Sequence, residues 1–218
     1  MNIGILGTGM VGQTIGTKLV ELGHPVSLGS RSATNQKAEE WVKKAGSSAS
    51  HGTFADAAHF GEIVFNCTNG LGALDAMRMA KSDNLAGKTV IDVSNPLDFS
   101  HGFPPTLSVC NTDSLGEQIQ REFPRAKVVK TLNTVSCQLM VNPSLVPGVH
   151  DLFLSGNDQD AKETVRTIVT DWFGWKSVID LGDISTARGT EQLLPIWIRL
   201  MGLWKSPQFN FHIVRAAS

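Results

Sequence analysis

Short continuous apolar runs alternate along this chain with longer stretches whose apolar residues recur at helical spacing. Ile3-Gly4-Ile5-Leu6 reads as a strand covered on both faces. The turn Gly7-Thr8-Gly9-Met10-Val11-Gly12 follows, then a helix from Gln13 to Glu21 that Gly23 stops. Pro25-Val26-Ser27-Leu28 predicts a second strand. Asn35 to Ala45 predicts a helix with Ala38, Trp41, Val42 and Ala45 on one face, and 47–53 a weak strand. Phe54 to Phe60 reads as a short helix and Glu62 to Cys67 as a strong strand, which leads into Thr68-Asn69-Gly70-Leu71-Gly72.

The alternation continues with a helix from Ala73 to Lys81. A strand from Lys88 to Val93 delivers Ser94-Asn95-Pro96. Residues 97–113 look irregular, a loop length that is often functional. Ser114 to Phe123 predicts a helix, with Ser114 and Glu117 spaced as a capping box. Lys127 to Leu132 predicts a strand running into Asn133-Thr134-Val135-Ser136, and Pro143 to Pro147 a turn-rich loop. Strands at Asp151–Ser155 and Trp175–Asp180 flank a helix from Asp158 to Phe173. An apolar helical tail from Ser185 to Trp204 should be kinked or split by Pro195.

This order predicts an α/β fold: a doubly wound, Rossmann-type, mostly parallel sheet of about eight strands with a short C-terminal helical extension. One domain over residues 1–218 is expected, with a dinucleotide-binding core at 1–147 and additional strands and helices at 148–218.

The first thirty residues carry the clearest chemistry. Strand, Gly-x-Gly-x-x-Gly turn, helix and second strand form a dinucleotide-binding unit. Gly7 permits the tight turn, Gly9 lets a pyrophosphate approach the backbone, and Gly12 lets the helix pack close; Gly16 extends that packing by one turn. The helix N-terminus offers unpaired N–H groups and a positive dipole end. After the second strand, NAD-binding units place Asp or Glu on the ribose hydroxyls. This chain has Gly29-Ser30-Arg31-Ser32-Ala33-Thr34 and no acid until Glu39. Ser30, Arg31 and Ser32 suit a 2′-phosphate, and Lys37 can add charge, so NADP(H) is expected over NAD.

Composition narrows the rest. Hydrophobic content of 41% and charged content of 18% are those of a soluble globular protein. A net charge of -1 gives no case for nucleic acid or an anionic membrane as partner. The N-terminus is a working strand, not a leader peptide, and cytoplasmic residence is expected. Cys67, Cys110 and Cys137 make neither a metal spacing nor a disulfide framework, and the six histidines are scattered. No paired carboxylates and no nucleophile triad are visible, so no catalytic acid or base is expected. Hydride transfer between two ring cofactors needs alignment more than proton chemistry.

Five segments in order carry a resemblance: Gly7-Thr8-Gly9 to Gly12, Leu28-Gly29-Ser30-Arg31, Asp92-Val93-Ser94-Asn95-Pro96, Val129-Lys130-Thr131-Leu132-Asn133-Thr134 and Ser155-Gly156-Asn157-Asp158. The chain resembles, over essentially its whole length, the NADPH-dependent reductases of the deazaflavin coenzyme and the cytosolic NADPH-oxidising domain of the STEAP metalloreductases. The resemblance implies hydride transfer from NADPH to a stacked acceptor ring: deazaflavin, FMN or FAD. It implies that Thr8, Gly9, Met10 and Val11 line the phosphates and that Ser30, Arg31 and Ser32 hold the 2′-phosphate. Cys67, Thr68, Asn69 and Leu71 would border the ribose and nicotinamide side, and Asn95, Pro96, Asn133 and Thr134 would flank the nicotinamide. Thr68-Asn69-Gly70, where the deazaflavin reductases tend to have proline, and Asn133, where they tend to have histidine, are closer to the metalloreductase domain.

The leading expectation is therefore an NADP-dependent oxidoreductase with a small-molecule redox acceptor. An NADP-sensing module without turnover is the alternative from another class. A small hydroxyacid or imine dehydrogenase is disfavoured by the short stretch after Gly182. Trp197, Leu200, Met201 and Trp204 lie near one helical face, suited to packing on the sheet or to a homodimer.

Overall fold

The computed structural model describes residues 1–216. Its strands are β1 (Ile3–Leu6), β2 (Val26–Ser30), β3 (Ala49–Thr53), β4 (Ile63–Asn66), β5 (Thr89–Asp92), β6 (Leu97–Asp98), β7 (Thr106–Leu107), β8 (Lys127–Thr131), β9 (Asp151–Gly156) and β10 (Ser177–Asp180). The helices are α1 (Met10–Glu21), α2 (Gln36–Ala45), α3 (Phe54–Phe60), α4 (Ala73–Ala80), α5 (Ser82–Leu85), α6 (Leu115–Glu122), α7 (Cys137–Val141), α8 (Gln159–Thr167), α9 (Ala187–Gln192) and α10 (Leu194–Trp204).

Eight strands form one sheet in the order β10-β9-β8-β5-β4-β1-β2-β3. From β3 to β8 every neighbouring pair is parallel. The direction then reverses: β9 is antiparallel to β8, and β10 is parallel to β9. Strand order switches sides between β1 and β4, which opens a crevice at their C-terminal ends.

The period of two sorts side chains onto two faces. Ile3, Ile5, Phe65, Ile91 and Val129 share one core cluster with Ile15 and Leu19 of α1 and Trp41 of α2. Leu6, Val64, Val90 and Val128 share the other with α3, α4, α6 and α9. The expected close packing of α1 holds at two levels. A β-carbon at Gly12 would collide with the Gly7 carbonyl, and one at Gly16 would lie 2.9 Å from the Trp41 ring.

Several boundaries differ from the sequence reading. Helix α1 starts at Met10, three residues before Gln13, because the first turn needs no apolar face. The stretch 97–113 contains a two-stranded hairpin of β6 and β7. The five-residue α7 is too short to show a periodicity. The helix expected to reach Phe173 is α-helical only to Thr167 and continues as a π-helical turn over Ile168–Trp172. Pro195 splits the tail by occupying the first turn of α10.

Ser114 does cap α6, its hydroxyl accepting from Glu117 N at 3.1 Å. The Glu117 carboxylate accepts from the Ser114 hydroxyl at 2.8 Å rather than from the cap's backbone N–H, and it also binds Arg188 from α9. A two-way capping box occurs instead at Thr53 and Asp56 of α3. Trp197 and Trp204 both meet the chain's own tail. Trp197 stacks on Phe209 with ring centroids 5.3 Å apart, and Trp204 meets the same ring edge-on at 5.0 Å. Among the described residues no helix is long and apolar enough to cross a membrane.

Candidate functional site

The crevice where the strand order switches is a cleft of about 350 Å³. Gly7, Thr8 and Gly9 of the glycine turn form one wall. Ser30, Arg31 and Ser32 beyond β2 form a second, and Cys67, Thr68 and Asn69 beyond β4 a third. These segments are distant in sequence and converge because β1, β2 and β4 are adjacent parallel strands ending at one edge. Gly29 of β2 also lines the cleft, as do Asn35 and Phe54, which the sequence reading does not place there. Their signal was positional: Asn35 and Phe54 follow β2 and β3 at the same edge.

Gly7 has φ of +123°, a conformation that L side chains rarely adopt, and a β-carbon there would lie 2.7 Å from the Cys67 carbonyl. Gly9 differs. It precedes α1 with ordinary dihedrals, and a β-carbon on it would meet nothing within 4 Å. The space above it is open, as a close-approaching phosphate requires. No side chain caps α1, and its first turn carries no acid. Its first-turn amides and positive dipole end therefore face the cleft without an internal partner, which is the chemistry of an anion site.

Across the cleft, the loop after β2 is shaped by its own hydroxyls. Ser30 Oγ donates to the Ser32 carbonyl at 2.5 Å and accepts from Ser32 N at 3.3 Å. Ser32 Oγ lies 3.1 Å from Thr34 Oγ1 and accepts from Thr34 N. Ser30 is nearly buried, so its hydroxyl shapes the loop more than it faces solvent. Asn35 is engaged as the N-cap of α2, accepting from Ala38 N at 3.0 Å. Arg31 projects from this loop, exposed, and no carboxylate among the described residues lies within ion-pair distance of it. Lys37 is exposed on α2 and does not line the cleft.

The other expected residues, Met10, Val11, Gly12, Leu71, Ser94, Asn95, Pro96, Asn133 and Thr134, lie outside the residues that line this cleft. Met10, Val11 and Gly12 form the first turn of α1, with Met10 69% exposed and Gly12 buried in packing. Asn69 bends its chain by accepting from Leu71 N at 3.0 Å, which leaves Leu71 59% exposed. Asn95 and Asn133, beyond β5 and β8, are joined by a reciprocal pair of bonds. Asn95 Nδ2 donates to the Asn133 carbonyl at 2.9 Å, and Asn133 Nδ2 donates to Asn95 Oδ1 at 3.0 Å. Leu132, with φ of +61°, turns the chain into that position, a left-handed conformation that costs about 1–3 kcal/mol in a residue with a β-carbon. Pro96 and Thr134 are buried beside the pair. Ser94 is buried too, its hydroxyl donating to Asp92 at 2.7 Å rather than opening to the cleft.

Burial, then the nearby Asp92 carboxylate, pushes the Cys67 thiol far above its ordinary value. Cys67 is therefore a neutral wall and not a nucleophile. Among the described residues no group of His, Cys, Asp and Glu could hold a metal. The arrangement offers a helix end suited to an anion, a guanidinium in the same cleft, and a hydrogen-bonded pair of asparagines beyond β5 and β8.

The family described as NADP oxidoreductase, coenzyme F420-dependent, matches residues 2–96. A crystal structure assigned to an F420-dependent NADP-reductase of Arthrobacter sp. FB24 is 49% identical, with a TM-score of 0.92, covering 98% of this chain and 99% of that one. Metalloreductase STEAP3 of Rattus norvegicus is 30% identical over 207 residues, which is 94% of this chain; the chain spans 38% of that protein's length. An imine reductase of Streptomyces aurantiacus, at 16% identity and a TM-score of 0.67, covers 94% of this chain and 65% of its own, and shares the fold alone.

Proposed function

This chain belongs to the coenzyme F420-dependent NADP oxidoreductase family, and we propose that it transfers hydride between NADP(H) and a flavin-like acceptor ring, either the deazaflavin coenzyme or a flavin. The observation that carries the reading is the pairing across one cleft of an uncapped, acid-free helix N-terminus with an unpaired arginine. The first suits a diphosphate and the second a 2′-phosphate.

In this reading the backbone of Thr8, Gly9, Met10 and Val11 holds the diphosphate, and Arg31 with Ser32 holds the 2′-phosphate. Ser30 keeps that loop in shape. Cys67, Thr68, Asn69 and Leu71 border the ribose and ring. Asn95, Pro96, Asn133 and Thr134 form the ledge under the nicotinamide. NADPH supplies a hydride from its nicotinamide ring, and the acceptor gains that hydride with one proton from solvent. The chain's part is alignment: the reciprocal Asn95–Asn133 bonds fix the ledge so that two rings can face each other. Such a reaction draws on alignment more than on a protein acid or base.

The test is anaerobic stopped-flow oxidation of NADPH with coenzyme F420, FMN, FAD and riboflavin in turn. Fast oxidation by one of them supports the reading. Tight NADPH binding without turnover by any would point to a nucleotide-sensing module instead.

A further inference from the structure

Below the polar ledge lies a cluster of charges that the reaction as described does not use. Lys130, in the middle of the sheet, is completely buried. An ammonium has three donors, and here three acceptors receive them, two at or just past the end of β5 and one from α9. Asp92 Oδ2 at the end of β5 lies at 2.8 Å, Glu191 Oε1 from α9 at 2.7 Å, and the Ser94 carbonyl at 2.6 Å. Burial alone would push the Lys130 ammonium down; Asp92 and then Glu191 outweigh it and hold it above its ordinary value.

The cluster connects to the cleft lining at Thr68 and, separately, to the Asn95–Asn133 pair. Asp92 Oδ1 accepts from Asn66 Nδ2 at 2.8 Å, and Asn66 Oδ1 accepts from the Thr68 hydroxyl at 2.6 Å; Thr68 lines the cleft. Through the Ser94 carbonyl, Lys130 also holds the residue before Asn95, the first member of the ledge. At the far end Glu191 accepts from Leu115 N at 2.8 Å and Gly116 N at 3.0 Å, so the same carboxylate closes the N-terminus of α6.

Three buried charges are a poor device for stability alone, since well-packed apolar residues serve that end as well or better. A fully satisfied set does fix orientation. Resting on the nucleotide reading above, we propose that Lys130 is a positioning residue. It sets the Ser94–Pro96 loop and Thr68 against the nicotinamide half of the cleft.

The test separates ring placement from affinity. NADPH is titrated into the wild-type chain, the Lys130→Met/Glu191→Gln double variant, and the Glu191→Gln single variant. Binding is followed by calorimetry, and ring placement by nicotinamide fluorescence and its lifetime. The double variant removes one positive and one negative charge together. It is expected to bind NADPH with little change in affinity, because the phosphate grips are elsewhere, and to lose the emission change that marks a held nicotinamide. The single variant keeps Lys130 on the Ser94 carbonyl and is expected to retain that change. An unaltered signal in the double variant overturns the proposal.

Should the double variant not fold, wild-type protein labelled with 15N at lysine answers the same question. The slowly exchanging Lys130 ammonium resonance should shift with NADP+ and not with 2′,5′-ADP, which lacks the nicotinamide. Equal shifts with both ligands overturn the proposal. A wild-type chain that binds no NADPH removes the nucleotide reading and this proposal with it. Wild-type binding with an unaltered double-variant signal removes the proposal alone.

Discussion

Replacing Arg31 with glutamate reverses the one charge that faces the helix end across the cleft. Two unit charges at 4 Å interact by about 1 kcal/mol in water and about 4 kcal/mol at the effective dielectric of a protein surface. Arg31 is exposed, so the lower part of that range applies. Losing the attraction and gaining a comparable repulsion gives about 2–3 kcal/mol in all, or roughly a 30- to 150-fold weaker NADPH complex. NADH, which lacks the 2′-phosphate, should bind wild type and variant alike. Fluorescence titration of both nucleotides against both proteins measures the four constants. Repeating it near 1 M salt, where the screening length falls to about 3 Å, should narrow the NADPH gap. An unchanged NADPH affinity, or an equal loss for NADH, would refute the assignment of Arg31 to the phosphate.

The glycine turn separates packing from binding. Gly12→Ala should lower stability by about 1–3 kcal/mol, since its β-carbon meets the Gly7 carbonyl, whereas Gly9→Ala should leave the urea midpoint unchanged and weaken NADPH binding. Asp113 is held at about 2, first by its hydrogen bonds to Arg121. Its folded value lies below the unfolded one, so its contribution is complete above about pH 4 and is lost as pH falls toward 2; Asp113→Asn should remove about 1–2 kcal/mol at pH 7 and flatten that acid limb in urea melts. We also propose a homodimer through α10, where Ile196, Leu203 and Trp204 are exposed on one face. Leu203→Glu with Ile196→Glu should then sediment as a monomer with an unchanged melting temperature, and an identical sedimentation coefficient would count against that interface.

What could be read from the chain was what is local. The strand, glycine turn and helix at residues 3–21 declare themselves because each step has its own sequence chemistry. Arg31 stood out because an expected acid was missing after β2. What could not be read depends on tertiary placement. Strand direction is not encoded in apolar spacing, so the reversal at β9 was invisible. Phe54 and Asn35 join the cleft only once β2 and β3 lie side by side. Lys130 looked like one polar residue in a strand. Its partner Glu191 arrives from a helix far along the chain, and no pattern in either segment announces the pair. Glu117 shows both at once: its local bond to Ser114 follows from the spacing, while Arg188 from that same distant helix adds a partner that no local pattern announces.

The most direct measurement is a crystal structure of this chain with NADP+ bound. The diphosphate is expected on the backbone amides at the start of α1, the 2′-phosphate within hydrogen-bond distance of Arg31, and the nicotinamide over Asn95 and Asn133. A nucleotide seated away from that edge, or an Arg31 side chain turned into solvent with the phosphate held elsewhere, would contradict the account.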